Sequence, residues 1–251
     1  MRKSRAPSIA VIAGTGVSDL FQVGPKISLK TRFGPAVAFR SKSGGFYVLP
    51  RHGPGHTLPP HMINYRANAV GLSSLGVKDV IATSAVGSMN QEFGVGALGL
   101  ADQFLDFTKS RKSTLFDRKV VHTDLTEPYS EELNRAIVKA GSSVGAGILE
   151  GLTYVGVEGP RFETAAEIKM YRGLGGDVVG MTGVPEVVLA REAGMRYSSV
   201  LIATNWAAGM QEKVSHEEVV SVMKKSGQKV KIVIERTVND LLQNPMESEP
   251  R

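Results

Sequence analysis

The chain has 251 residues, 42% of them hydrophobic, with 28 glycines, 12 prolines and no cysteine. That is enough apolar material for a large core, so disordered and collagen-like chains are excluded, and the lack of cysteine excludes disulfide scaffolds, thiolate zinc sites and a cysteine nucleophile. Thirty Lys and Arg against 24 Asp and Glu give a net charge of +6; the cations are mostly spread along the chain, which argues against a nucleic-acid partner and suits a small anion such as phosphate equally well.

In chain order the pattern predicts strands at Ser8–Ala13 and Gly45–Pro50, a helix at Pro60–Leu75, and strands at Val77–Thr83 and Ala101–Phe107. A helix at Ser130–Ser142, a strand at Leu152–Val157, a helix at Thr164–Leu174 and a strand at Val178–Met181 follow. A helix at Val184–Ala193, a strand at Ser198–Thr204 and a long helix at Ser215–Gln243 complete the series. Short β-branched runs alternating with helical spacing imply an α/β fold: one domain over residues 1–251, with a mixed, largely parallel central sheet flanked by helices. Residues 244–251, with two prolines and no apolar period, read as a flexible tail. Of two basic runs, Lys109 to Lys119 and Lys224 to Lys231, the second lies in a helical pattern and reads as a solvated face. No apolar run approaches the ~18–20 residues of a membrane span, and the basic start MRKSRAPSIAVIAG runs straight into a strand, so a membrane partner and a cleaved leader are not expected and a cytoplasmic location is.

In an open α/β sheet the chemistry lies at the carboxyl ends of the strands. Those ends carry Gly14-Thr15-Gly16, Arg51-His52-Gly53, Ser84-Ala85-Val86-Gly87-Ser88, Glu158 to Thr164, Met181 to Glu186, and Asn205-Trp206. The GTG turn is either a plain tight turn or a cradle that aims backbone N–H groups and the Thr15 hydroxyl at an anion; it lacks the third glycine of a dinucleotide fingerprint. Arg51 and His52 are either an ordinary surface pair or a guanidinium fork and imidazole for phosphate or carboxylate. His52, His56 and His61 lie in a proline-rich loop without an acidic partner or an HExxH pattern, so no metal site is expected. Ser84 is not in a GxSxG elbow, which disfavours a serine hydrolase.

The segments AGTG, RHGPGHTLPPHMINYRAN, TSAVGS, VEGPRFET, VGMTGVPEVVLAREAG and ATNWAAG, in that order, cover most of residues 8–225. Together they resemble the trimeric purine nucleoside phosphorylase and methylthioadenosine phosphorylase family. The resemblance implies a nucleoside phosphorylase-like fold and reversible phosphorolysis of a purine nucleoside to free base and ribose 1-phosphate. Phosphate is a co-substrate there, with no metal or organic cofactor. It assigns Thr15, Arg51, His52, Ser84, Ala85 and Thr182 to phosphate, with Ala13 departing from the family's usual glycine. Phe162 and Met181 are assigned to the sugar and base, although Met181 by itself reads equally as core.

The base pocket points to a 6-oxopurine member. Relatives that cleave adenine nucleosides have a small hydroxyl residue where this chain has Glu163, and acids where it has Asn205 and Ala207. A carboxylate at Glu163 accepts from N1–H of hypoxanthine or guanine, whereas adenine N1 is itself an acceptor; Asn205 donates to N7 or O6. Both have plainer readings, as a first-turn helix acid and a strand-end amide. The resemblance makes Asn205, Glu163 and His52 the catalytic set. It puts Val222 in an apolar 5′ pocket, leaves His216 as a partner for a 5′-hydroxyl, and makes His122 either a loop histidine or a group reaching into a neighbouring subunit. The expected assembly is a homotrimer or a dimer of trimers. The alternatives are a methylthioinosine or methylthioadenosine phosphorylase and a non-catalytic nucleoside-binding protein.

Overall fold

The apolar run Ile9–Ala13 forms β1, and all five of its side chains are buried, as a parallel strand covered on both faces requires. The computed structural model describes residues 7–212 and 215–246. After β1 come β2 (Val23–Thr31), β3 (Gly34–Ser41), β4 (Tyr47–Pro50), α1 (Tyr65–Ser74), β5 (Asp79–Ser88) and β6 (Leu98–Phe107). Then follow α2 (Glu131–Ser143), β7 (Ile148–Val157), α3 (Ala165–Gly173), β8 (Val178–Gly180), α4 (Gly183–Glu192), β9 (Arg196–Trp206) and α5 (His216–Gln243).

The nine strands make one mixed sheet in the order β2-β3-β4-β1-β5-β8-β7-β6-β9, and β9 pairs back onto β5. The strands β5, β8, β7, β6 and β9 therefore form a closed ring, with β4, β1 and the hairpin extending from it. Of the nine pairings five are parallel and four antiparallel, so the parallel bias is weaker than the sequence suggests. Alternation along β1 divides the core: Ala10 and Ile12 join Leu72, Val187 and Tyr197 on one side, while Ile9, Val11 and Ala13 join Ile137, Val230 and Ile234 on the other.

Helix starts follow local chemistry. Asn64 caps α1 through Ala67 N–H, so the helix begins at Tyr65 and Pro60–Met62 is a separate 3-10 turn. Ser130 and Ser215 cap α2 and α5, and Thr164 with Glu167 forms a capping box on α3. The hairpin β2–β3 is absent from the sequence reading. Pro25 and Pro35 interrupt its apolar pattern; Pro25 lies exposed on the edge strand β2 and Pro35 exposed at the start of β3, positions where a sheet tolerates proline. Residues 247–251 of the expected tail lie outside the described residues, and α5 ends at Gln243. Among the described residues no helix is long and apolar enough to cross a membrane.

Candidate active site

Strand ends from β1, β4, β5, β8 and β9 surround a cavity of about 530 Å³. At one end stands Arg51. Its backbone N–H bonds to Ala13 O, joining the ends of β4 and β1, and its side chain is buried, with the residue 1% exposed. Nε and Nη2 donate to the two carboxylate oxygens of Glu186 on α4 at 2.7 and 2.6 Å, and Nη1 donates to Thr83 O at 2.7 Å. A guanidinium has five N–H groups, so one on each Nη remains for a ligand. Glu186 also accepts from Tyr197 Oη at 2.8 Å. Burial works against the guanidinium charge, but the paired Glu186 carboxylate outweighs it and holds Arg51 above its ordinary value.

Gly14 explains itself here. A Cβ on it would lie 2.7 Å from both Arg51 Nη1 and Thr83 O, so only glycine lets the β1 turn close over the guanidinium. Its N–H bonds to Thr83 Oγ1. His52 is fixed twice by Leu58: Nδ1 meets Leu58 O at 2.8 Å, and Leu58 N–H donates to His52 O. As the carbonyl needs a donor, the neutral ring carries its proton on Nδ1 and presents Nε2 as an acceptor. Burial, followed by the charge of Arg51 and the stacked His56 ring at 4.3 Å, pushes His52 down to about 4 even though the Leu58 bond favours the cation. Thr15, Ala85 and Thr182 complete this end. The N–H groups of Thr182 and Gly183 bond to Tyr154 Oη, which leaves Thr182 its hydroxyl to offer a ligand.

Phe162, Glu163, Met181 and Asn205 line the same cavity. Asn205 is buried, and its amide is oriented by neighbours: the Thr204 hydroxyl shares its one hydrogen between Oδ1 at 2.9 Å and Val86 O at 3.2 Å, and Nδ2 donates to Trp206 O at 2.9 Å. One Nδ2–H is left. Glu163 is half-buried; desolvation leads, Glu167 adds repulsion, and the carboxyl rises above its ordinary value. It also borders a second, smaller cavity of about 200 Å³ behind the 158–163 loop.

Four residues named from the sequence do not line the cavity. Ser84 is the neighbour of Ala85 on β5, so alternation turns its hydroxyl away, onto Ser199 Oγ at 3.2 Å. Ala207 is buried with its N–H on Ser88 O. Val222 is replaced by Val219 and His216, because it sits about 60° further round α5 than Val219. His122 is exposed on the loop between β6 and α2, outside the wall. Conversely, sequence reasoning assigned no role to Glu186, Thr204 or the wall segment His56–Pro60. A lone acid among the apolar residues of GVPEVVLA is the signal that marks Glu186 as a buried partner for a cation.

The family model described as the phosphorylase superfamily matches residues 8–239, and the chain belongs to that superfamily. Among curated relatives, a protein named 6-oxopurine nucleoside phosphorylase from Pyrococcus furiosus is 48% identical, with 91% of each chain covered. One named probable S-methyl-5′-thioinosine phosphorylase from Methanothermobacter thermautotrophicus is 44% identical, covering 93% of this chain and 84% of that one. Among solved structures, a methylthioadenosine phosphorylase from Schistosoma mansoni in complex with adenine superposes with a TM-score of 0.88 at 30% identity, covering 95% of this chain and 93% of that one.

Proposed function

We propose that the protein catalyses the reversible phosphorolysis of 6-oxopurine nucleosides, inosine and guanosine, giving the free base and ribose 1-phosphate. One observation carries this: a single cavity is lined by a buried guanidinium with two unused N–H groups, an amide with one unused N–H and a carboxylate. Arg51, Thr15 and Thr182 hold phosphate, and the neutral His52 ring accepts a hydrogen bond at Nε2 from a protonated phosphate oxygen. Glu163 accepts from N1–H. The free Asn205 Nδ2–H stabilises charge that grows at N7 and O6 as the glycosidic bond stretches, while phosphate faces the cationic sugar carbon. This is positioning plus electrostatic preorganisation and asks for no metal or organic cofactor. An adenine presents an N1 acceptor, with no N1–H, toward the Glu163 carboxylate, so it is disfavoured on that edge.

A second reading keeps the base and changes the 5′ group. Leu58 and Val219 form an apolar stretch of wall that suits a methylthio substituent, whereas His56 and His216 beside them suit a hydroxyl. The two relatives' names divide in the same way. We take the working enzyme to be a homotrimer or a dimer of trimers in the cytoplasm, with His122 serving a neighbouring subunit. Product analysis with inosine, guanosine, adenosine and their methylthio counterparts tests the assignment. Hypoxanthine and ribose 1-phosphate should form from inosine only when phosphate is present. Phosphate-independent release of base, or a preference for adenosine, rejects the reading.

A further inference from the structure

Arg111 belongs to the irregular segment between β6 and α2. It does not line the cavity, and its side chain is only 3% exposed. From this hidden position its guanidinium reaches several separate pieces of chain. Nη1 donates to Met181 O and Val184 O, both at 2.7 Å, and lies 3.2 Å from Tyr65 Oη. Nη2 donates to Glu158 O at 2.5 Å and sits 3.4 Å from Val157 O. Tyr65 passes the contact on by donating to Pro60 O at 3.0 Å. The connection is locked from the far side: the Glu158 carboxylate accepts from Lys109 N–H at 2.7 Å and from Ser110 Oγ at 2.8 Å, holding the turn that delivers Arg111.

These pieces carry the three walls of the cavity. Phe162 and Glu163 follow directly from Glu158; Met181 and Thr182 lie on the sugar and phosphate side; Pro60 ends the mouth segment. The first two are also in tight contact, since a Cβ on Gly159 would meet Met181 Sδ at 2.6 Å. A small slip between them is therefore passed to the sugar floor. We infer that Arg111 is a positioning residue for the reaction: one buried guanidinium sets the distance between the base-gripping loop and the sugar floor without touching a substrate. The inference rests on the phosphorolysis reading above. Its physical basis is the planar fork, which spans carbonyls on both sides at fixed separation. A lysine ammonium is a single point of charge and satisfies one side at the expense of the other.

The test uses the full chain with Arg111→Lys and Arg111→Met. Three quantities are read: steady-state kinetics with inosine and phosphate, hypoxanthine affinity from the fluorescence of Trp206, the chain's single tryptophan, and thermal unfolding. Arg111→Lys should stay folded at assay temperature and lose about 100-fold in kcat, the scale of a reacting pair held slightly out of place. Hypoxanthine binding should weaken by about tenfold or more. The phosphate KM should rise by a smaller factor than hypoxanthine affinity falls, because Arg51 and Thr15 hang on β4 and β1 and only Thr182 rides on the segment that Arg111 holds. Wild-type kcat and hypoxanthine affinity in Arg111→Lys overturn the inference. So does a kcat loss fully accounted for by the unfolded fraction. If the Arg111 variants do not fold, Glu158→Gln decides: it weakens the hold on the Lys109–Ser110 turn and the Glu158–Arg111 ion pair at 3.6 Å while leaving the Arg111 bonds to backbone carbonyls in place, and kcat should fall by about tenfold. Unchanged kcat there rejects the inference. Wild-type enzyme that binds hypoxanthine but yields no ribose 1-phosphate defeats the phosphorolysis reading instead, and the Trp206 titration still reports on Arg111.

Discussion

Asn205 reaches the cavity with one amide hydrogen uncommitted, because Thr204 holds its oxygen and Trp206 O holds the other hydrogen. Replacing Asn205 by Ala should lower kcat on inosine by about 100-fold, the usual size for loss of a donor to developing charge. Thr204→Val leaves the amide present but free to turn, so it should cost less than Asn205→Ala, while Thr204→Ser should stay near wild type. Equal rates for Thr204→Val and wild type would show that the amide needs no such guide. Glu163 gives a pH prediction. Its carboxyl is held above the ordinary value of 4.5, mainly by burial, and it must be ionised to accept from N1–H. As pH falls, kcat/KM on inosine should therefore drop with a midpoint above 4.5, and comparison with Glu163→Gln at saturating phosphate isolates that limb. His52, pushed down to about 4, titrates in both proteins, so the difference between wild type and Glu163→Gln reports the carboxylate. A limb that persists unchanged in Glu163→Gln rules the carboxylate out.

At the scale of elements, the site is a product of neighbouring strand ends. The parallel register of β1 with β4 pairs Ala13 with Pro50, so the GTG turn and the Arg51-His52 turn leave the sheet side by side. The three residues of β8 put Val179 and Gly180 in the cavity wall and deliver Met181 and Thr182 to it, with the buried start of α4 following. Helix α4 then supplies Glu186, which holds Arg51 in place. Helix α3, with its capping box, fixes where the base loop must end. The hairpin β2–β3 shows the opposite case: an edge strand and its neighbour, neither lining the cavity, built on a sequence whose prolines hide the period.

For the whole molecule, the loop between β6 and α2 is the part least explained by one chain. Arg111 anchors its start deep inside, yet Val120 is 86% exposed and Val121 44% exposed beside His122. Large apolar side chains left in water next to an unpartnered histidine are what a subunit contact covers. Light scattering should give a particle of three chains or six. His122→Ala should raise the nucleoside KM while leaving that mass unchanged. A monomer with full activity would overturn the assembly.

The residue types at the strand ends, and their order, were legible in the sequence, because turn glycines and a guanidinium beside an imidazole are local chemical statements, whereas Glu163 and Asn205 were paired only through the family resemblance. So were the buried strands and most helices, which announce themselves by period. What the sequence could not determine was direction. Whether the Ser84 hydroxyl faces the cavity or Ser199 depends on which face of β5 the cavity occupies; whether Val219 or Val222 lines it depends on the rotation of α5. The partners of Arg51 and Arg111 were hidden for a further reason. Glu186 is 135 positions from Arg51, and Met181 is 70 from Arg111. Contacts between residues so distant in the chain exist only once the sheet has brought the segments together, so only the tertiary structure could assign them.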